Sequence, residues 1–236
     1  MFPKTLAGAF AALALAACGG PAGRDKIVNV EGDAFMGPKD AKVTVVEYGS
    51  PTCPGCKFWH DNFYAEMKSD YVDTNKIKFI FREFAIHGAI DAGIFSVARC
   101  AGTEDFFAVL DEAFARQRDI VMAAQQGNSI PALHSLGEKF HLSPAQVDSC
   151  ISDKQNIQRV NDVGLYARQI DVASTPTFFV NGVKIDAPDL KDQWGLMKAA
   201  IDSALTGQPA APTPIAPPAD AVAPATPHDQ VPGEQH

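Results

Sequence analysis

The chain has 236 residues, 46% hydrophobic and 20% charged, enough apolar material for a sizeable core, which excludes a wholly disordered protein. Its formal net charge is -8, so binding gains nothing from counterion release and nucleic acid is excluded as a partner. No apolar run of roughly 18 residues lies inside the body, which argues against several membrane spans, and the chain holds five cysteines.

In chain order, Lys4 is followed by an apolar stretch from Leu6 to Ala17 that ends at Cys18. A basic start, a short apolar core and small residues have the pattern of an export signal over residues 1–17. Leu15-Ala16-Ala17-Cys18 resembles the bacterial lipobox, which implies cleavage before Cys18 and a lipid on its sulfur. Ordinary cleavage after Ala16, leaving Cys18 a spare thiol, is the alternative. Residues 18–39 are expected to be a tether. The folded part then works outside the cytoplasm, where disulfides persist. At the other end, residues 207–236 are rich in Pro and Ala and are expected to be an extended, disordered tail.

Between these ends, Lys42 to Tyr48 is rich in β-branched residues and predicts a buried strand. From Cys53 to about Tyr71, Phe58, Trp59, Phe63 and Met67 fall at helical spacings. Ile77 to Phe84 predicts a second strand, parallel to the first through a right-handed crossover. Residues 88–169 read as helical. One helix is expected to stop at Cys100-Ala101-Gly102, with Gly102 in the left-handed region. Another is expected to start at Thr103-Glu104-Asp105 with acids in its first turn, and Ser143-Pro144-Ala145-Gln146 has the form of a capping box. Thr177–Val180, Asn181-Gly182 and Val183–Ile185 predict a hairpin. Pro188 is expected to open a closing helix through Leu196, Ala200 and Leu205. The element order is therefore βαβ, a helical block, then ββα.

Cys53-Pro54-Gly55-Cys56 follows a strand and opens a helix. A structural zinc site needs four ligands and a second paired motif, which the body lacks; His60 could add one ligand, but a histidine on an exposed helix face is usually just solvated. A c-type haem needs His directly after the second cysteine, where Lys57 stands. A purely structural bridge over so short a loop contributes only about 2 kcal/mol before strain. A redox dithiol is what the strand-then-helix context supports. The helix N-terminus offers free N–H groups and the positive end of a dipole, so Cys53 is expected to be the nucleophile and Cys56, one turn in, the resolving thiol. No metal and no organic cofactor is implied.

Glu47 lies in an otherwise apolar strand, where an unpaired carboxylate is expensive to bury. It is expected either to reach water at a strand end, or to be a buried acid with a raised pKa that moves the Cys56 proton. Ser174-Thr175-Pro176-Thr177 precedes the hairpin, and proline is tolerated there at an edge or bulge.

Taken together, Cys53-Pro54-Gly55-Cys56, Glu47 six residues before it, Thr175-Pro176 before a Phe-Phe-Val-Asn-Gly hairpin, and the helical block between two sheet halves resemble a DsbA-like thiol:disulfide oxidoreductase of the thioredoxin superfamily. The resemblance covers about residues 40–205. It implies an α/β thioredoxin fold, 40–87 and 170–206, with an inserted α-helical domain, 88–169. It implies a cis Thr175–Pro176 bond against the active-site disulfide, with Thr175 binding substrate backbone and Glu47 as the family's acid. Two features bear on redox direction. Gly55 stands where the best-known oxidising members carry His, and Thr before Pro is similar to the isomerases and reductases of the superfamily. Some DsbA-like proteins carry a second bridge in the helical domain, and Cys100 and Cys150 look similar to it, with two buried free thiols as the alternative. A bridge over such a loop would contribute about 4 kcal/mol.

The expected protein is thus a monomer facing the periplasm and lipid-anchored through Cys18, on the inner or outer membrane. It exchanges disulfides with exported proteins and is recycled by a membrane or periplasmic redox partner. The alternatives are an isomerase or reductase, which generally needs a dimerisation module for which about 20 residues leave no room, and a non-catalytic chaperone or metal carrier on the same scaffold.

Overall fold

The computed structural model describes residues 31–207. The export signal, Cys18, most of the tether and the Pro/Ala-rich tail lie outside the described residues. A five-stranded mixed sheet in the order β1-β3-β2-β4-β5 forms the centre. Its strands are β1 (Ala34–Met36), β2 (Val43–Gly49), β3 (Ile77–Glu83), β4 (Thr177–Val180) and β5 (Val183–Ile185). β2 runs parallel to β3 with Val45 opposite Phe79, and antiparallel to β4 with Glu47 opposite Phe178. β2 is therefore the central strand, and all seven of its residues are buried.

Helix α1 starts at Pro54–Trp59 and continues through a π-helical stretch His60–Tyr64, a single turn Ala65–Met67 and a second π-helical stretch Lys68–Val72. The helical block follows: α2 (Ala89–Ala101), α3 (Phe106–Ala115), α4 (Gln117–Gln125), α5 (Ser129–Glu138), α6 (Pro144–Ser152) and α7 (Lys154–Gln169). Helix α8 (Leu190–Thr206) closes the chain.

The alternation of side chains along a strand divides the core in two. Val43 and Val45 join a large cluster with Trp59, Phe79, Phe178, Met197 and much of the helical block. Val46 and Tyr48 face the other way, with Ile80, Phe179 and Val163 and Ala167 of α7. Residue 47 shares the parity of 43 and 45, which aims Glu47 at the layer that holds α1.

Several elements depart from the expectations. The tether ends earlier than residue 39, because Ala34–Met36 pair antiparallel with Phe79–Phe81 and extend the sheet by one strand. A buried charge cluster holds this strand. Arg82 Nη2 donates to Asp33 at 2.8 Å, Arg159 of α7 donates to Asp33 at 2.6 Å and to Glu83 at 3.0 Å, and Arg99 of α2 also bonds Glu83. Asp105 stands at the N-cap position of α3, with no side-chain bond to the helix, and the first turn holds no acid. Asp189, not Pro188, starts α8, its carboxylate accepting from the N–H groups of Lys191 and Asp192. Gly102 ends α2 at φ 99°, ψ 168°, a glycine-only conformation that is not left-handed helical. The Ser143–Gln146 capping box is present.

Candidate active site

Cys53 is the N-cap of α1 in an extended conformation, and Pro54 holds the first helical position, where its missing N–H costs nothing. Both Cys53 and Cys56 are free thiols, so the structure shows the dithiol. Their environments differ. Cys53 is 9% exposed and Cys56 is fully buried. Cys53 Sγ donates to the carbonyl of Thr175 at 3.3 Å, across a cis Thr175–Pro176 bond. Cys56 Sγ accepts from the backbone N–H of Ser50 at 3.4 Å.

These contacts set the two thiols apart. Cys53 is lowered from 9.0 to about 5, first because the Cys56 thiol donates to its anion; burial opposes this, and Thr175 with the N–H groups of Cys56 and Gly55 adds to the lowering. The Thr175 hydroxyl is buried without a partner where the Cys53 thiol is protonated and donates to the Thr175 carbonyl, which leaves it available to the sulfur when the thiol ionises. Burial pushes Cys56 well up, and its role as donor to Cys53 and the charge of Glu47 push it further. At pH 7 a thiol at about 5 is roughly 99% anion, against about 1% for one at 9.

Glu47 does not reach water. It is 3% exposed in the middle of the central strand, and its pKa is raised from 4.5 to about 8, mainly by burial and then by the negative Cys53. The second cause links the acid to the redox state of the neighbouring sulfur. A small cavity beside it, with room for about one water, is lined by Glu47, Trp59, His60, Tyr64 and Asp111 among others. His60 is not simply solvated. Its ring is stacked between Tyr64 and Phe114, and Nε2 lies 2.9 Å from Asp111.

Gly49 leaves the acid its space, since a Cβ there would lie 2.5 Å from the Phe81 ring and 2.8 Å from Glu47 Oε1. Gly55 packs by Pro176, and a Cβ there would sit 3.3 Å from the proline Cδ. Gly55, Thr175, Pro176, Lys184, Asp189 and Leu190 line an open groove of about 370 Å³ alongside the redox pair.

Cys100 and Cys150 are joined by a disulfide that ties α2 to α6, with Cα atoms 6.1 Å apart. Among the described residues no group of three or more His, Cys, Asp or Glu is placed to hold a metal, and no helix is long and apolar enough to cross a membrane.

Sequence reasoning missed two residues of this region. Gln117 of α4 donates from Nε2 to the carbonyls of Pro51 and Cys53 at 2.7 and 2.9 Å. Asp91 of α2 is fully buried against Ser50 and Thr52. Neither carries a local sequence signal, because each is one polar residue in a helix whose burial depends on distant partners.

A Cys-x-x-Cys at a helix start beside a cis-proline loop, on a sheet whose two halves are separated in the chain by six helices, defines a thioredoxin-like fold. A family model described as "Thioredoxin" matches residues 29–203, and the chain belongs to that family. It is 33% identical over 177 residues to a Rickettsia bellii protein named "Putative protein-disulfide oxidoreductase", covering 74% of this chain and 65% of that one. The chain thus spans just under two thirds of the length of that curated relative. Among solved structures, Wolbachia pipientis alpha-DsbA1 is similar with a TM-score of 0.68 at 22% identity, covering 78% of this chain and 98% of that one. BdbD from Bacillus subtilis, in its oxidised form, is similar with a TM-score of 0.66 at 22% identity, covering 76% and 96%. These likenesses show the fold.

Proposed function

We propose that the protein is a thiol:disulfide oxidoreductase that introduces or exchanges disulfides in exported proteins through Cys53 and Cys56. The observation that carries this reading is the placement of two free thiols at one helix start, Cys53 Sγ at 3.3 Å from the Thr175 carbonyl before a cis proline and Cys56 Sγ fully buried behind it on the Ser50 N–H, an arrangement that lowers the first thiol and raises the second. One sulfur is ready to be attacked or to leave, and the other waits behind it.

In the oxidising direction a substrate thiolate attacks Cys53 Sγ of the disulfide. A substrate–Cys53 bond forms, the Cys53–Cys56 bond breaks, and the electron pair stays on Cys56, which takes a proton from Glu47. A second substrate thiolate then attacks the first, closing the substrate disulfide and releasing Cys53 as the thiolate. Two electrons pass to the enzyme, and a redox partner removes them. Glu47 suits both directions. Burial, the main cause of its raised pKa, lets Glu47 hold a proton for Cys56 while Cys53 is bonded; in the reverse direction the mixed disulfide lacks the repulsion of a Cys53 anion, and the carboxylate can take the Cys56 proton. Thr175 and Pro176 offer backbone for a substrate segment to add as a strand. A stabilised thiolate favours the dithiol and so makes the disulfide an oxidant. Work outside the cytoplasm, anchored by a lipid on Cys18, belongs to the same reading.

Isomerase or reductase activity is the second reading, favoured by Thr175 before the proline and by Gly55 in the motif. Refolding assays decide between them. Net oxidation of a reduced substrate faster than repair of a scrambled one supports the first reading, and the reverse order supports the second. Trapping with Cys56→Ser in cells is expected to leave substrates attached to Cys53. If neither assay nor trapping shows exchange, the protein is a carrier or chaperone.

A further inference from the structure

The carboxylate of Asp91 takes no part in the chemistry above, yet its contacts gather on the segment that carries the redox pair. Asp91 lies in the first turn of α2 and is fully buried. Both its oxygens accept from the Ser50 hydroxyl, at 2.9 and 2.8 Å. Oδ1 also accepts from the Thr52 hydroxyl at 2.7 Å and the Thr52 N–H at 3.3 Å, and Oδ2 from the backbone N–H of His87 at 2.9 Å. The half-exposed His87 ring is the titratable group at the edge of the cluster, with Nδ1 3.0 Å from Thr52 Oγ1 and 3.7 Å from Asp91 Oδ2. These donors occupy the lone-pair sites of a carboxylate, which is what makes its burial tolerable.

Ser50 and Thr52 are the ends of the turn that leads into Cys53, whose own N–H donates back to the Ser50 carbonyl at 3.1 Å. The Ser50 N–H is the donor to the buried Cys56 sulfur. The helix N-terminus supplies donors to Cys53; for Cys56 the donor comes from outside the helix, on a residue whose side chain Asp91 holds. Gln117 holds the same turn from α4 through the carbonyls of Pro51 and Cys53. The helical block thus grips the turn at two points.

We propose that Asp91 is a positioning residue for the redox pair: it fixes Ser50 so that its N–H stays aimed at Cys56 Sγ, and so sets how well Cys56 acts as attacking and leaving sulfur. This deepens the oxidoreductase reading and rests on it.

The test compares the full-length protein with Asp91→Asn, Ser50→Ala and the double variant. Two quantities are read: the dithiol–disulfide equilibrium in glutathione buffers, and the rate at which Cys56 resolves a glutathione mixed disulfide on Cys53. An Asn at 91 turns an NH2 toward donors and loosens the turn. The expected result is a threefold to tenfold shift toward the disulfide, about 15–30 mV, because the Ser50 N–H then no longer supports the Cys56 sulfur that donates to the Cys53 anion, and resolution about threefold slower, because lost Cys56 thiolate is partly offset by higher nucleophilicity. Ser50→Ala shifts in the same direction by less, and the double variant goes no further than Asp91→Asn alone. Losing a negative charge near the sulfurs would by itself stabilise the thiolate and shift the equilibrium toward the dithiol, so the sign separates positioning from a through-space effect. A shift toward the dithiol, no shift, or additive effects overturns the proposal. If Asp91→Asn fails to fold by circular dichroism, Ser50→Ala decides, since Asp91 then keeps its Thr52 and His87 donors; an unchanged equilibrium there overturns it. Wild-type protein that forms no reversible disulfide at all would instead overturn the oxidoreductase reading.

Discussion

Replacing Cys56 with Ala tests the origin of the Cys53 anion. The Cys56 thiol is the largest influence lowering Cys53 from 9.0 to about 5. A hydrogen bond to a charged group is worth about 1.5–3 kcal/mol net. At about 1.4 kcal/mol per pH unit, its loss moves the Cys53 midpoint up by about 1–2 pH units. The midpoint does not return to 9, because Thr175 and the N–H groups of Cys56 and Gly55 remain. The choice of pH decides whether the effect is visible. At pH 7 the thiolate fraction falls by no more than about twofold, whereas at pH 5 it falls by roughly five- to fiftyfold. The assay is the pH dependence of iodoacetamide labelling of Cys53, resolved by mass spectrometry. Cys56→Ser keeps a hydroxyl donor and is expected to fall between wild type and Cys56→Ala. A midpoint that stays near 5 in Cys56→Ala would refute the assignment of Cys56 as the main donor. A wild-type midpoint near 9 would refute the whole picture of a stabilised anion.

Glu47→Gln is expected to slow resolution of the Cys53 mixed disulfide by at least tenfold and to flatten its pH dependence, measured by stopped-flow quenching. It should also stabilise the reduced protein. The folded pKa of Glu47 is raised, so wild type is progressively less stable as pH rises from 4.5 to about 8, and the gain from Gln is absent at pH 4, about 3 kcal/mol at pH 7 and up to about 5 kcal/mol above pH 8. Urea melts at those pH values check this; a gain that does not grow with pH would count against a buried acid. Cys100→Ala with Cys150→Ala is expected to cost about 4 kcal/mol in the same melts while leaving the Cys53 labelling midpoint in place. Asp33→Ala leaves the guanidinium of buried Arg82 without its carboxylate, and a loss of about 3–5 kcal/mol is expected in thermal or urea unfolding. A loss below about 1 kcal/mol would mean that the cluster does not hold β1.

Cys53, Cys56, Glu47 and Thr175-Pro176 are readable in the sequence because each carries a local signal. The two cysteines bracket the first turn of a helix, Glu47 interrupts an apolar strand, and Thr175-Pro176 stands before an Asn-Gly hairpin. The parallel β2–β3 pair and the β4–β5 hairpin follow from the same alternation and turn chemistry. What escaped depends on pairing between distant segments. Ala34-Phe35-Met36 is too short to show a period, and it is a strand only because β3 offers an edge and Arg82 and Arg159 anchor Asp33 beside it. Asp91 looks like any acid in a helix's first turn, where a dipole rewards it. Nothing near it in sequence tells that Ser50 and Thr52, about forty positions earlier, fold back onto it. His60 sits on a helix face whose other wall, Asp111 and Phe114, arrives from α3. Pro188 is a good helix opener by residue type, but Asp189 takes that task with its side chain.

The bare backbone at Gly55 shapes what can approach. Any larger residue at that position would begin against Pro176 and overhang the adjoining groove. Glycine leaves this doorway unroofed, so under the proposed exchange reaction the space beside the proline stays open to a bound segment. Lys184 and Asp189 are among the charged side chains that line the same groove, and Gly55, the motif's contribution to that lining, adds no side chain there.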